Sequence, residues 1–303
     1  MHNWNCRIRH IRTSPRKDFD PSRFLIDQIC SGRTSTTRTI VESGILNLTQ
    51  ATVLITGGTQ GIGLGLAQRF LAAGSSVVIT GRNAERIERL RQSMPGLHGW
   101  VSDIRSSEDR EVLAARIERE LAWLNVVINN AGIQRRIALA ADSAPWSEKQ
   151  AEIDTLLSGP IHLNSLLVPL MLKQARPGLI VNVTSGGAFI PQVFAPVYSA
   201  CKAALHSYTV TLRHALQNTP IRVVELIPPA IRTGLAGPGA AHGAPLDEFC
   251  DTVFAALSGD AETVGFGPTD TPEFKSLIDV SKKLFAASAA RFPTETYRSS
   301  IKE

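Results

Sequence analysis

The sequence predicts an α/β fold, a doubly wound parallel sheet of about seven strands with helices on both faces. Two observations carry this reading. From Ala51 onward, short β-branched and apolar runs alternate with longer stretches whose apolar residues recur at helical spacing. The short runs are also predominantly apolar, as expected of strands covered on both sides. At 303 residues, 43% hydrophobic and 19% charged, the chain can bury one sizeable core, and crossovers between such strands are right-handed.

The elements follow in order. Thr52–Thr56 (TVLIT) is the first strand, and Gly61–Ala73 a helix with apolar spacing at Ile62, Leu66 and Phe70 that stops at Gly74. Ser76–Thr80 is the second strand, Asn83–Met94 a charged amphipathic helix halted by Pro95-Gly96, and Leu97–Val101 the third strand. Ser106–Leu121 is a helix with Ser106 as N-cap, and Asn125–Asn129 the fourth strand. A long helix covers about Glu148–Lys173, with bends expected near Pro160 and Pro169. Then come strand Leu179–Thr184, helix Pro196–Gln217, strand Ile221–Ile227, a Gly/Pro-rich stretch to Pro245 and helix Leu246–Leu257. Thr263–Phe266 is a last strand and Pro272–Ala290 a last helix, with Thr271 and Pro272 at N-cap and N1.

Composition narrows the function. Residues 1–48 hold eight basic side chains against four acidic ones, and so carry four of the five net positive charges. The remainder is near neutral, which gives no support to a nucleic-acid groove there. The basic arm, rich in Arg, Ser and Thr, reads as a disordered extension, with 49–303 as one domain. No apolar run reaches the ~18–20 residues of a membrane span. The four cysteines (Cys6, Cys30, Cys201, Cys250) form no pair at disulfide-framework or metal spacing, so no metal is expected and a cytoplasmic location is.

The first strand runs into Thr56-Gly57-Gly58-Thr59-Gln60-Gly61-Ile62-Gly63, where a helix begins. Such glycines permit a tight turn and a close backbone approach to a pyrophosphate, and the helix N-terminus offers free N–H groups to the anion. The spacing TGxxxGxG differs from GxGxxG, so the turn alone is a weak signal; its place between first strand and first helix strengthens it. The second strand ends in Thr80-Gly81-Arg82, with no acid for a ribose hydroxyl. An arginine there suits a 2′-phosphate and favours NADP(H) over NAD(H). Asp103, past the third strand, is placed to accept from the adenine amino group.

Tyr198 and Lys202 stand four apart on one predicted helix and share a face. A tyrosine is a poor acid or base near neutrality unless a neighbouring ammonium stabilises its phenolate. Ser185 follows the fifth strand at the carboxyl edge of the sheet, where ligands of such sheets sit, so its hydroxyl can hold a carbonyl oxygen.

Taken together, TGGTQGIG, Asn129-Asn130-Ala131-Gly132, Ser185, Tyr198-Ser199-Ala200-Cys201-Lys202 and Pro228-Pro229-Ala230-Ile231-Arg232-Thr233 resemble the short-chain dehydrogenase/reductase family, with a Rossmann-like sheet, over about 49–270. NNAGIQRR, FAPVYSACKAALHSYT and ELIPPAIRTGL resemble its DltE-like branch. The resemblance implies an oxidoreductase that moves a hydride between NAD(P) and a small carbonyl or alcohol substrate. It implies Tyr198 as general acid/base, Lys202 lowering its pKa and binding the nicotinamide ribose, and Ser185 orienting the substrate. Gly57, Gly61, Ile62 and Gly63 would line the pyrophosphate, Asn130 support the adenosine side, and Ile231 and Thr233 hold the nicotinamide end. Thr59, Gln60, Ile104, Ala131, Gly132 and Pro228 complete the implied cofactor contacts, and a homodimer or homotetramer is implied by analogy. One position departs from the pattern: Leu156 stands where active relatives carry an Asn beside the lysine. This leaves an alternative reading, a catalytically weak dinucleotide-binding sensor or scaffold. His206, His214 and the tryptophans Trp100, Trp123 and Trp146 are expected in surface or packing roles, and Gln134–Trp146 and the loop after Thr233 are expected to shape the substrate pocket.

Overall fold

A computed structural model describes residues 46–121, 123–236 and 243–298. The basic extension therefore lies outside the described residues except for its last three, as do 237–242 of the loop after Thr233.

Seven strands form one parallel sheet: β1 (Thr52–Ile55), β2 (Ser76–Gly81), β3 (Leu97–Val101), β4 (Val126–Asn129), β5 (Gly178–Val183), β6 (Ile221–Ile227) and β7 (Thr263–Gly265), in the order β3-β2-β1-β4-β5-β6-β7. The register pairs Val53 with Val77 and Val126, and Ile128 with Val181. Successive side chains point to opposite faces. Val53, Ile55, Val77, Ile79, Val126 and Ile128 enter one core, packed by Leu66, Ala67 and Phe70 of α1 (Gly61–Ala72) and Phe249 and Val253 of α7 (Leu246–Leu257). Leu54, Val78, Val127 and Ile180 enter the other, packed by Leu113 and Ile117 of α3 (Ser107–Glu120) and Leu163 and Leu167 of α5 (Gly159–Lys173). This two-sided burial is why most strand positions are apolar. The core already includes Leu46 and Leu48, and the Ser75 hydroxyl donates to the Leu48 carbonyl.

The caps agree with the sequence. Asn83 accepts from Arg86 N ahead of α2 (Ala84–Ser93), Ser106 from Asp109 N, and Thr271 from Phe274 N ahead of α8 (Pro272–Arg291). Gly74 sits at φ +87, the left-handed conformation that ends α1.

The long helix differs in one respect. α4 (Trp146–Ile153) passes into a π-helical turn over Asp154–Ser158 before α5, and the Gly159 N–H donates back five residues to Asp154 O. Pro160 has no N–H to offer the Leu156 carbonyl, so the regular ladder is already broken where the turn widens. By length and composition Trp146–Lys173 could cross a bilayer. Here it is a core helix, burying Leu163, Leu167, Val168 and Met171.

Candidate active site

β1 lies between β2 and β4, so the connections diverge at the carboxyl ends of β1 and β4 and leave a crevice. A cavity of about 280 Å³ opens there. Its wall includes Gly57, Thr59, Gln60, Gly61, Ile62, Arg82, Asp103, Ile104, Asn130, Ala131, Gly132, Ser185, Tyr198, Lys202, Pro228, Ile231 and Thr233. Every site residue expected from the sequence except Gly63 thus lies on one surface.

Gly63 stands behind the wall as part of a glycine cradle. A Cβ there would collide with Asn130 Nδ2 and lie 2.7 Å from the Gly57 carbonyl oxygen. Gly57 (φ +63) and Gly61 (φ +55) take left-handed conformations, and a Cβ on Gly57 would lie 2.7 Å from Ala131 Cα. Asn130 braces this turn, its side chain donating to Thr56 O at 3.0 Å and Gly57 O at 3.2 Å. The N-cap of α1, Gln60, caps none of the helix N–H groups with its side chain, so they remain available to an anion. This arrangement fits the pyrophosphate of a dinucleotide.

At the end of the cavity beside β2 and β3, Arg82 is exposed on the wall and Arg86 donates to Gln60 Oε1. Asp103 is on the wall too, but Arg105 already grips its carboxylate at 2.5 and 3.0 Å and holds its pKa below the usual carboxylate value.

At the other end, the first turn of α6 (Pro196–Ala215) carries Tyr198, 6% exposed, and the second carries Lys202, 4% exposed. Lys202 Nζ lies 5.7 Å from the centre of the Tyr198 ring and donates to Val183 O at 2.6 Å. Ser185 Oγ accepts from Gly187 N at 3.1 Å. The sequence expectation was that the lysine lowers the tyrosine pKa. In the chain alone burial dominates instead: it raises the phenol above its ordinary value, and the Ser185 hydroxyl pulls the other way. Burial pushes the lysine down to about 8 and the intervening Cys201 thiol up to about 11, which keeps the thiol protonated. Leu156 is 1% exposed and packs with Tyr198, Cys201 and Ala195. The gap bounded by Leu156, Lys202 and Asn129 is too small for a water molecule. Asn164 accepts from Asn129 Nδ2 at 2.9 Å, committed to a buried amide network with Asn182.

Arg136 and Leu235 on the wall lie in the two segments expected to shape the pocket, whereas sequence reasoning did not single out Thr155 of the π turn, Gln192 or Phe194. It also gave His206 no acidic partner. Glu225, fully buried on β6, pairs with its Nδ1 at 2.9 Å and accepts from Thr184 at 2.7 Å. The partner is on a strand, beyond the reach of helix spacing. Of the three tryptophans among the described residues, Trp100 is buried, and Trp123 and Trp146 are 40% and 65% exposed.

The family described as short chain dehydrogenase matches residues 51–242. The uncharacterized oxidoreductase DltE of Bacillus subtilis is 43% identical over 190 residues, 63% of this chain and 75% of that protein. The serine 3-dehydrogenase of Rhizobium radiobacter is 33% identical over 178 residues, 58% of this chain and 70% of that one. In fold, the chain resembles a short-chain dehydrogenase from Sphingobium yanoikuyae solved with NADPH, with a TM-score of 0.69, 24% identity, and coverage of 78% of this chain and 95% of that one. With a glycine cradle at one end of the cavity, a tyrosine–lysine pair at the other and a family match over most of the sheet, the chain belongs to the short-chain dehydrogenase/reductase family of oxidoreductases, on its DltE-like side.

Proposed function

We propose that residues 49–303 form a catalytic unit that interconverts a small carbonyl compound and its alcohol with NADP(H), using Tyr198, Lys202 and Ser185. The observation that carries this is one cavity with the glycine cradle at one end and these three side chains at the other. A bound nicotinamide supplies or accepts the hydride. The chain's own groups hold the substrate and move the proton. The Ser185 hydroxyl, positioned by Gly187 N, donates to the carbonyl oxygen and orients it. The Tyr198 phenol, kept protonated by burial, gives its proton to that oxygen during reduction and recovers it from the alcohol in reverse. Lys202 spends one N–H on Val183 O and keeps two uncommitted; its positive charge favours the phenolate left after transfer.

The preference for NADP(H) rests on Arg82, the only charged side chain at the tip of β2, where no acid is present to bind a ribose hydroxyl. Arg82→Glu is expected to shift the NADPH:NADH ratio of kcat/KM by about 10- to 100-fold toward NADH. An unchanged ratio in steady-state assays contradicts that role.

The catalytic assignment is tested by following NADPH consumption against a carbonyl panel in wild type and Tyr198→Phe. Loss of about 10³-fold or more in turnover, with NADPH still bound, is expected. A second reading, a dinucleotide-binding sensor, draws support from Leu156, which seals the space beside Lys202 that a relay water would need. Tight NADPH binding with the same background rate in both proteins favours the sensor.

A further inference from the structure

Two consecutive arginines follow β4, and their surroundings are opposite. Arg135 is enclosed by carboxylates, reaching Asp142 at 2.9 Å, Glu148 at 3.1 Å and Glu152 at 3.9 Å. Arg136 forms no ion pair among the described residues. It lies on the cavity wall with its guanidinium carbon 4.1 Å from the centre of the Phe194 ring. Such a cation–π contact consumes none of the N–H donors, and an unengaged guanidinium fork binds a carboxylate through two parallel hydrogen bonds.

The position is the catalytic end of the cavity. Phe194 O accepts from Ile137 N at 2.8 Å, and Gln134 donates to Gln192 at 3.2 Å, so the segment bearing Arg136 is tied to the one that leads into α6. Gln192 N in turn donates to the hydroxyl of Ser199, the neighbour of Tyr198, at 3.0 Å. The charged side chains on the wall are Arg82 and Asp103 at the adenosine end and Arg136 and Lys202 at the catalytic end. Asp103 is neutralised by Arg105. The catalytic end therefore carries positive charge with no acid on the wall to balance it, and a partly enclosed wall strengthens the pull on an anion.

From this we infer that the substrate bears a carboxylate close to its reacting carbonyl and that Arg136 is the specificity-determining residue that binds it. The inference rests on the carbonyl-reducing reading above and adds the class of substrate. It predicts an oxo acid in preference to its neutral ester, with discrimination expressed mainly in KM.

The test uses the full chain with NADPH and three oxo acids of increasing spacing, 2-oxopropanoate, 3-oxobutanoate and 4-oxopentanoate, each beside its methyl ester. With the best-spaced pair, wild type is expected to favour the acid in kcat/KM by about 10- to 100-fold. Arg136→Gln brings the acid:ester ratio close to one, and Arg136→Lys retains an intermediate ratio. Equal use of acid and ester by wild type, or a ratio that survives Arg136→Gln, overturns the inference while the reductase reading stands. If no carbonyl is reduced, that reading fails, and binding decides this one. Calorimetric titration of the NADPH-mixed protein with the three acids should show binding that Arg136→Gln removes; no binding by wild type, or equal binding by both, overturns it.

Discussion

At the scale of single residues, the site is governed by burial. Lys202 is almost wholly buried, and the loss of hydration lowers its pKa from the usual 10.5 to about 8. Below about pH 8 the folded and unfolded chains both carry the charge, and the full cost of burying it is present. Between about pH 8 and 10.5 the unfolded chain binds a proton that the folded chain lacks, so this residue's contribution to stability rises with pH. Lys202→Met keeps much of the volume and removes the titration. Across that window wild type should gain about 3 kcal/mol relative to Lys202→Met in urea unfolding. A difference that stays flat with pH contradicts the assignment. The Tyr-x-x-x-Lys pair and Ser185 were legible in the sequence because helix spacing and a strand end fix where they stand. The balance of forces on Tyr198 was not. It depends on what packs around the ring, and Leu156, Cys201 and Ala195 come together there only when α6 meets the π turn. Arg136 was hidden for a related reason, since in the sequence nothing separates it from the ion-paired Arg135.

At the scale of elements, the strand–turn–helix unit from β1 into α1 is the most demanding piece of local structure. Its glycines serve different needs: Gly57 and Gly61 supply positive φ, while Gly63 gives room for Asn130 to brace the turn. Gly63→Ala should push Asn130 off the Gly57 carbonyl. We expect NADPH affinity to fall about 10-fold or more and stability to drop by about 1–3 kcal/mol, as measured by fluorescence titration and denaturant melts. Unchanged affinity contradicts the cradle. Helix starts at Asn83, Ser106 and Thr271 were readable because a cap is a local hydrogen bond. The π turn was only half readable. Pro160 marks a break in the ladder, but the resolution into a widened turn depends on Gly159 packing against Ile104, which is distant in sequence.

At the scale of the whole molecule, one sheet sorts the apolar residues into two cores, and strand alternation decides which residue enters which. That much followed from the short, mostly apolar runs and their regular separation by helices. The start of the core did not: Leu46 and Leu48 belong to a short run that continues from the polar basic arm, yet they pack under the α1 side of the sheet. Leu48→Ala should cost about 2–4 kcal/mol of unfolding free energy. A loss below about 0.5 kcal/mol would show that this segment lies outside the cooperative unit.

If this cavity passes a hydride to a carbonyl carbon under proton transfer from Tyr198, the transferred atom can be traced. The most direct measurement is isotopic. Wild type is incubated with NADPH deuterated at the transferable C4 position and a carbonyl panel that includes oxo acids, and the product alcohols are analysed by mass spectrometry and NMR. One deuterium is expected on the new carbinol carbon, with loss of that product in Tyr198→Phe. Alcohol formed without deuterium, or deuterated alcohol formed equally by Tyr198→Phe, would contradict it.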